Sequence, residues 1–202
     1  MGGPMMVPIL FVSVFALALV AAKLKQFSLM RAGAQNFLKN IFELLGRQRL
    51  KEAIDLCDKA NTPLVRVIKS GIMKYDRPKD DIRESMQESF LYELPVLEEG
   101  ISILSTIVQI APLLGFLGTA AGLISLFGVL QAKVAASLPV VLSDLTPAVW
   151  QTLICPVAGF VVSIPTLIAL NYFEARIKSF TEEVERAATE LLAFFMERRM
   201  PL

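Results

Sequence analysis

Between Gly100 and Phe173 the chain holds only two charged side chains, Lys133 and Asp144, and they lie close together around Pro139. The pair marks a turn between two long apolar segments, roughly 101–131 and 145–173. Each exceeds the ~20 residues needed to cross a hydrocarbon core of ~30 Å at about 1.5 Å per residue. Both are expected to be transmembrane helices, the first long enough to continue beyond the bilayer.

A third apolar run, from Pro8 to Ala22, has no Lys or Arg before it and is followed at once by Lys23, Lys25 and Arg31. A cleaved signal peptide would need a basic segment ahead of the apolar one, so the run is expected to be an uncleaved anchor. By the positive-inside rule the N-terminus faces out and the stretch after Ala22 is cytoplasmic. Through three spans this leaves Lys133 as the one basic residue outside and the other 19 inside. The expected division is a first membrane helix at 1–22, a cytoplasmic helical domain at 23–99 and a second span at 100–132. A short external loop at 133–145, a third span at 146–173 and a cytoplasmic amphipathic helix at 174–202 complete it. The fold class is an all-α integral membrane protein.

Composition supports the membrane and excludes several chemistries. Hydrophobic residues make up 54% of the chain and the mean hydropathy is +0.58, too apolar for an ordinary soluble domain. With 20 basic and 19 acidic residues, nothing points to nucleic acid. The chain has no histidine, which removes His-based metal sites, triads and proton relays. Its two cysteines, Cys57 in the cytoplasmic stretch and Cys155 in mid-membrane, cannot meet, so no disulfide follows. No cofactor or metal is expected, and no nucleophile and base pair suggests an enzyme.

From Lys23 to Glu99, apolar residues recur at helical spacing, for example Phe37, Ile41, Leu44 and Leu45, then Leu50, Ile54 and Cys57. Gly46, Asn61-Thr62-Pro63 and Asp76-Arg77-Pro78 read as joints, Asp80 or Asp81 as a helix cap, and Pro95 as a kink or short break. After the third span, Ile177, Phe180, Val184, Ala188, Leu191 and Phe195 form a heptad-like stripe between charged residues. Such a stripe packs against the cytoplasmic extension of the second span, against another copy, or both.

Small and polar residues also line up inside the spans. Ser102, Thr106, Gln109, Pro112, Gly115, Thr119 and Gly122 follow steps of three or four, as do Thr152, Pro156, Gly159, Ser163 and Thr166. Lipid gives apolar side chains no reason to segregate, so these lines mark close helix approach or a cavity. Gly115, Gly118, Gly122 and Gly159 are the candidate packing positions. Gln109 and Gln151 must find hydrogen-bond partners within the membrane and favour an interior or pore-facing place. Amides and hydroxyls orient water but release no proton near neutral pH.

The segment Ala111-Pro112-Leu113-Leu114-Gly115-Phe116-Leu117-Gly118-Thr119-Ala120-Ala121-Gly122-Leu123-Ile124 closely resembles the APLLGLLGTVxGMI block of the ExbB/TolQ/MotA proton-channel family. A second block, Ala158-Gly159-Phe160-Val161-Val162-Ser163-Ile164-Pro165 followed by Asn171-Tyr172-Phe173, is similar to that family's GLxVAIPAxxxYN segment. The resemblance covers 97–173 best, and three spans match the ExbB/TolQ branch. It implies a homo-oligomer, commonly a pentamer, in the bacterial cytoplasmic membrane. The ring would surround a single-span ExbD/TolR/MotB-like subunit whose intramembrane Asp is protonated and deprotonated as ions pass.

Thr119 matches the family's pore-facing threonine. The usual third-span threonine is replaced by Pro156, and an intramembrane glutamate found in many members by Gln151. Thr152, one turn before Pro156, could present a hydroxyl near the lost position. Pro156 leaves the carbonyl of Thr152 without its helical donor, which either exposes that carbonyl to water or an ion or simply accompanies a bend. Thr119, Gln109, Gln151, Thr152, Pro156 and Ser163 are therefore the candidate ion-pathway residues, with membrane lipid around them. The expected function is ion-gradient-driven energy transduction on the cell envelope. Its alternative is a non-conducting membrane scaffold of the same fold. A permease is disfavoured by three spans without a paired intramembrane charge.

Overall fold

The computed structural model describes residues 6–31, 34–47, 49–60 and 62–199, and every element in them is an α-helix. In order these are α1 Met6–Arg31, α2 Ala34–Gly46, α3 Leu50–Lys59, α4 Pro63–Met73, α5 Lys79–Glu98, α6 Ile101–Ala135 and α7 Leu142–Arg199. Three helical stretches, 6–28, 79–135 and 142–197, are long and apolar enough to cross a membrane. Asn61, part of an expected joint, lies outside the described residues. The chain forms two compact units, one of 1–23 with 100–173 and one of 24–99 with 174–202.

In the first unit, α1 buries Ile9, Ala16 and Lys23, seven residues apart and so on one helical stripe. Helix α6 buries Ile101, Leu104, Ile107, Ala111, Gly115, Gly118 and Gly122. The small-residue line is thus not one face. Ser102, Thr106 and Gln109 are exposed, and the line joins the buried stripe only at Gly115. Its ends are 20 residues apart in sequence, and at about 100° per residue that rotates Gly122 roughly 160° away from Ser102. In α7, by contrast, Cys155, Gly159, Ser163, Thr166, Leu170 and Phe173 stay on one buried face. The connection between α6 and α7 is short, residues 136–141, and Lys133 and Asp144 fall inside the two helices.

The second unit packs α2 to α5 with the last part of α7 around one core. Helix α4 is its centre: Leu64, Val65, Val67, Ile68, Gly71 and Ile72 are all buried. The stripe on α7 is absorbed here, within the chain. Val184, Leu191 and Phe195 are buried in the core, and Phe180 and Ala188 pack against it. Tyr75 meets Phe195 edge to face at 4.9 Å. Arg66 on α4 donates to Glu93 on α5 at 2.6 Å, and Lys69 pairs with Asp58.

Two local expectations resolve differently. Asp80 and Asp81 sit in the first turn of α5, behind an N-cap at Pro78, and there complement the helix dipole rather than cap it. Helix α5 runs through Pro95, and the chain breaks instead at Gly100, whose φ of 77° only glycine adopts without strain.

Cys57 and Cys155 are free and buried. Burial, with the Asp58 charge adding and Lys69 opposing, pushes the Cys57 thiol up to about 11 from its ordinary 9.0. The stability this contributes is complete below pH 9 and is lost as pH rises through about 11, because the unfolded chain releases that proton first.

Candidate functional site

Helices α6 and α7 touch through glycine. A Cβ on Gly115 would stand 2.9 Å from both the Cys155 carbonyl oxygen and the Pro156 Cα. On Gly159 it would stand 2.6 Å from the Ala111 carbonyl oxygen, and on Gly122 it would stand 2.6 Å from the Thr152 methyl. Gly118 is buried on the same α6 stripe. Gly115, Gly122 and Gly159 thus lie where α6 and α7 approach each other.

That approach brings Thr119, Thr152 and Pro156 together. The Thr119 hydroxyl donates to the Gly115 carbonyl at 3.2 Å and to the Thr152 carbonyl at 3.4 Å. One proton divided between two acceptors explains why both distances exceed those of an ordinary hydroxyl bond. The Thr152 carbonyl is the one Pro156 deprives of its helical donor, so it is filled from the opposite helix. The Thr152 hydroxyl itself donates back to the Val149 carbonyl at 2.7 Å.

Ser163 is 7% exposed and lies deeper in the pair. Its hydroxyl donates to the Val108 carbonyl at 2.8 Å. The sequence signal for an open acceptor there is Pro112, which leaves the Val108 carbonyl without its helical donor four residues earlier; that Ser163 fills it depends on how the helices meet.

The two amides stand apart from these contacts. Gln109 is exposed on α6 and its Nε2 reaches the Ser105 hydroxyl only at 3.5 Å. Gln151 is half-buried within α7. No Asp, Glu, His, Lys or Arg occurs in 101–132 or 145–173. Among the described residues no group of acidic, Cys or His side chains could hold a metal.

At the turn, the Lys133 ammonium donates to Asp144 Oδ2 at 2.6 Å, and the same oxygen accepts the Val141 N–H at 3.1 Å at the start of α7.

Residues 59–186, which include all of α6 and most of α7, match the MotA/TolQ/ExbB proton channel family. The ExbB-like 3 protein of Synechocystis sp., named for biopolymer transport, is 25% identical over 174 residues, 86% of this chain and 82% of its own length. The biopolymer transport protein ExbB of Pseudomonas putida is 27% identical over 180 residues, 83% of this chain and 52% of its own. An ExbB homolog of Methanothermobacter thermautotrophicus is 23% identical over 134 residues, 66% of this chain and 46% of its own. The chain thus spans about half the length of two of these relatives and most of the third.

Proposed function

From the premise that this chain belongs to the MotA/TolQ/ExbB proton channel family, we propose that it is the multi-copy subunit of an ion-driven energy-transducing complex in a cytoplasmic membrane. Several copies would surround a single-span partner that brings a carboxylate into the membrane. One observation carries this reading: among the described residues the exposed Gln109 amide reaches only the Ser105 hydroxyl, at 3.5 Å, and no Asp or Glu occurs in 101–132 or 145–173 to accompany it. An amide in hydrocarbon without partners is costly, and proton movement through low dielectric needs titratable groups or a water chain. A partner helix with a carboxylate supplies both.

The test is proton flux into liposomes that enclose a pH-sensitive dye. The purified protein alone should leak little, and flux should rise when the cognate one-span subunit is co-reconstituted. Thr119→Val should then reduce flux roughly tenfold, the rate equivalent of about 1.4 kcal/mol and one hydrogen bond. Saturable flux through the protein alone would overturn the reading. No flux with the partner would favour the scaffold, for which Pro156 and Gln151 in place of the family's threonine and glutamate are the motive.

The N-out orientation has its own expected result. Cys57 and Cys155 are too buried to report topology: a maleimide at pH 8 should leave both unmodified in the folded protein and label them after denaturation. Exposed reporters do better, since Leu142 is 80% and Tyr92 81% exposed. In intact cells an impermeant maleimide should label Leu142→Cys and spare Tyr92→Cys; the reverse pattern would invert the orientation.

A further inference from the structure

The contacts between α6 and α7 come in equivalent pairs. On α6, Pro112 is followed by Gly115, Phe116 and Thr119; on α7, Pro156 is followed by Gly159, Phe160 and Ser163, at the same offsets. The two helices therefore carry two copies of one short element: proline, glycine three residues on, phenylalanine next, hydroxyl seven on.

The structure sets these copies face to face. A Cβ on Gly115 would meet the Pro156 Cα and the carbonyl before it, that of Cys155. A Cβ on Gly159 would meet the Pro112 Cα and the carbonyl before it, that of Ala111. Phe116 and Phe160 meet each other edge to face, with centroids 6.1 Å apart. Thr119 donates to the carbonyl four residues before Pro156, and Ser163 to the carbonyl four residues before Pro112. Exchanging the helices exchanges every one of these contacts, which is the pattern of a local two-fold relation.

We propose that Thr119 and Ser163 are reciprocal positioning residues, each filling the carbonyl that a proline on the opposite helix leaves open, and that together they lock α6 and α7 in one register. A proline inside a spanning helix leaves a main-chain acceptor where no water reaches, so an external donor is required. Each helix supplies the donor that the other lacks. A one-turn slip would empty both carbonyls at once, so the pair moves as one body. This deepens the channel reading by naming what holds the ion-path helices in place.

The test is a pair of double-mutant cycles on the full-length protein in detergent, read as thermal midpoints. Ser163→Ala should lower the midpoint by about 2–4 °C. In a Pro112→Ala background, where Val108 regains a main-chain donor, the same change should lower it by less than half as much. Thr119→Val and Pro156→Ala should show the same dependence with a smaller amplitude, because that bond is longer. Thr119→Ser, which keeps the hydroxyl, should restore most of the midpoint lost in Thr119→Val.

Equal losses in both backgrounds, or no rescue by serine, would reduce these residues to packing and overturn the proposal. If Pro112→Ala or Ser163→Ala does not accumulate as folded protein, the Thr119–Pro156 cycle decides alone. Dependent losses with no ion flux under any condition would sink the channel reading and leave the lock standing.

Discussion

Gly159→Ala is expected to lower the thermal midpoint of the detergent-solubilised protein by roughly 6–12 °C, from about 3 kcal/mol of overpacking spread over a chain of this size. The added Cβ would lie 2.6 Å from the Ala111 carbonyl oxygen and 3.3 Å from the Ala111 carbonyl carbon and the Pro112 Cα. All three atoms are main chain, so no rotamer change relieves the contact. Alanine otherwise favours a helix over glycine by about 1 kcal/mol, and a loss must exceed that gain to be seen. Gly128, on α6, has nothing within 4 Å of an added Cβ, so Gly128→Ala should keep or raise the midpoint. If the two variants behave alike, Gly159 does not lie against α6.

Leu191→Ala should destabilise the second unit by about 2–5 kcal/mol, the usual range for emptying a fully buried leucine site. Leu191 is wholly enclosed, and its side chain lies over Gly71 of α4, where an added Cβ would come 3.1 Å from Leu191 Cδ2. Glu190→Ala, one residue away and exposed, should change stability by no more than about 0.5 kcal/mol. Because the stripe is filled by helices of its own chain, the Leu191→Ala loss should be independent of protein concentration. A loss that disappears at high concentration would instead place Leu191 between copies.

The large features were legible because they rest on composition and period. A charge-free stretch broken only by Lys133 and Asp144 can hardly be anything but two spans and a turn. The stripe from Ile177 to Phe195 announced a buried face, although its partner was not readable, since a face says nothing of what covers it. The small residues of α6 were harder. Their steps of three and four look like one line on paper, but accumulated rotation carries Ser102 and Gln109 away from the face that Gly115 and Gly122 share.

Pro156 could be seen to open the Thr152 carbonyl, but the donor that closes it stands 33 residues away on another helix. Such a bond depends on how two helices cross, which no local pattern contains. Gly100 was passed over for a related reason: Pro95 is the stronger helix breaker in general, yet α5 tolerates it near its end, and the turn falls to the residue that accepts a positive φ.

A hydroxyl has one hydrogen, and the hydrogen of Thr119 is already held between the carbonyls of Gly115 and Thr152. What Thr119 has left to offer a visiting group is lone pairs. A carboxylate arriving there meets oxygen facing oxygen and no donor. The same carboxyl with its proton on, a hydronium or a bare cation meets an acceptor. Under the proposed function, Thr119 so held would discriminate by charge state: it would receive the loaded form of an acid and turn away the empty one.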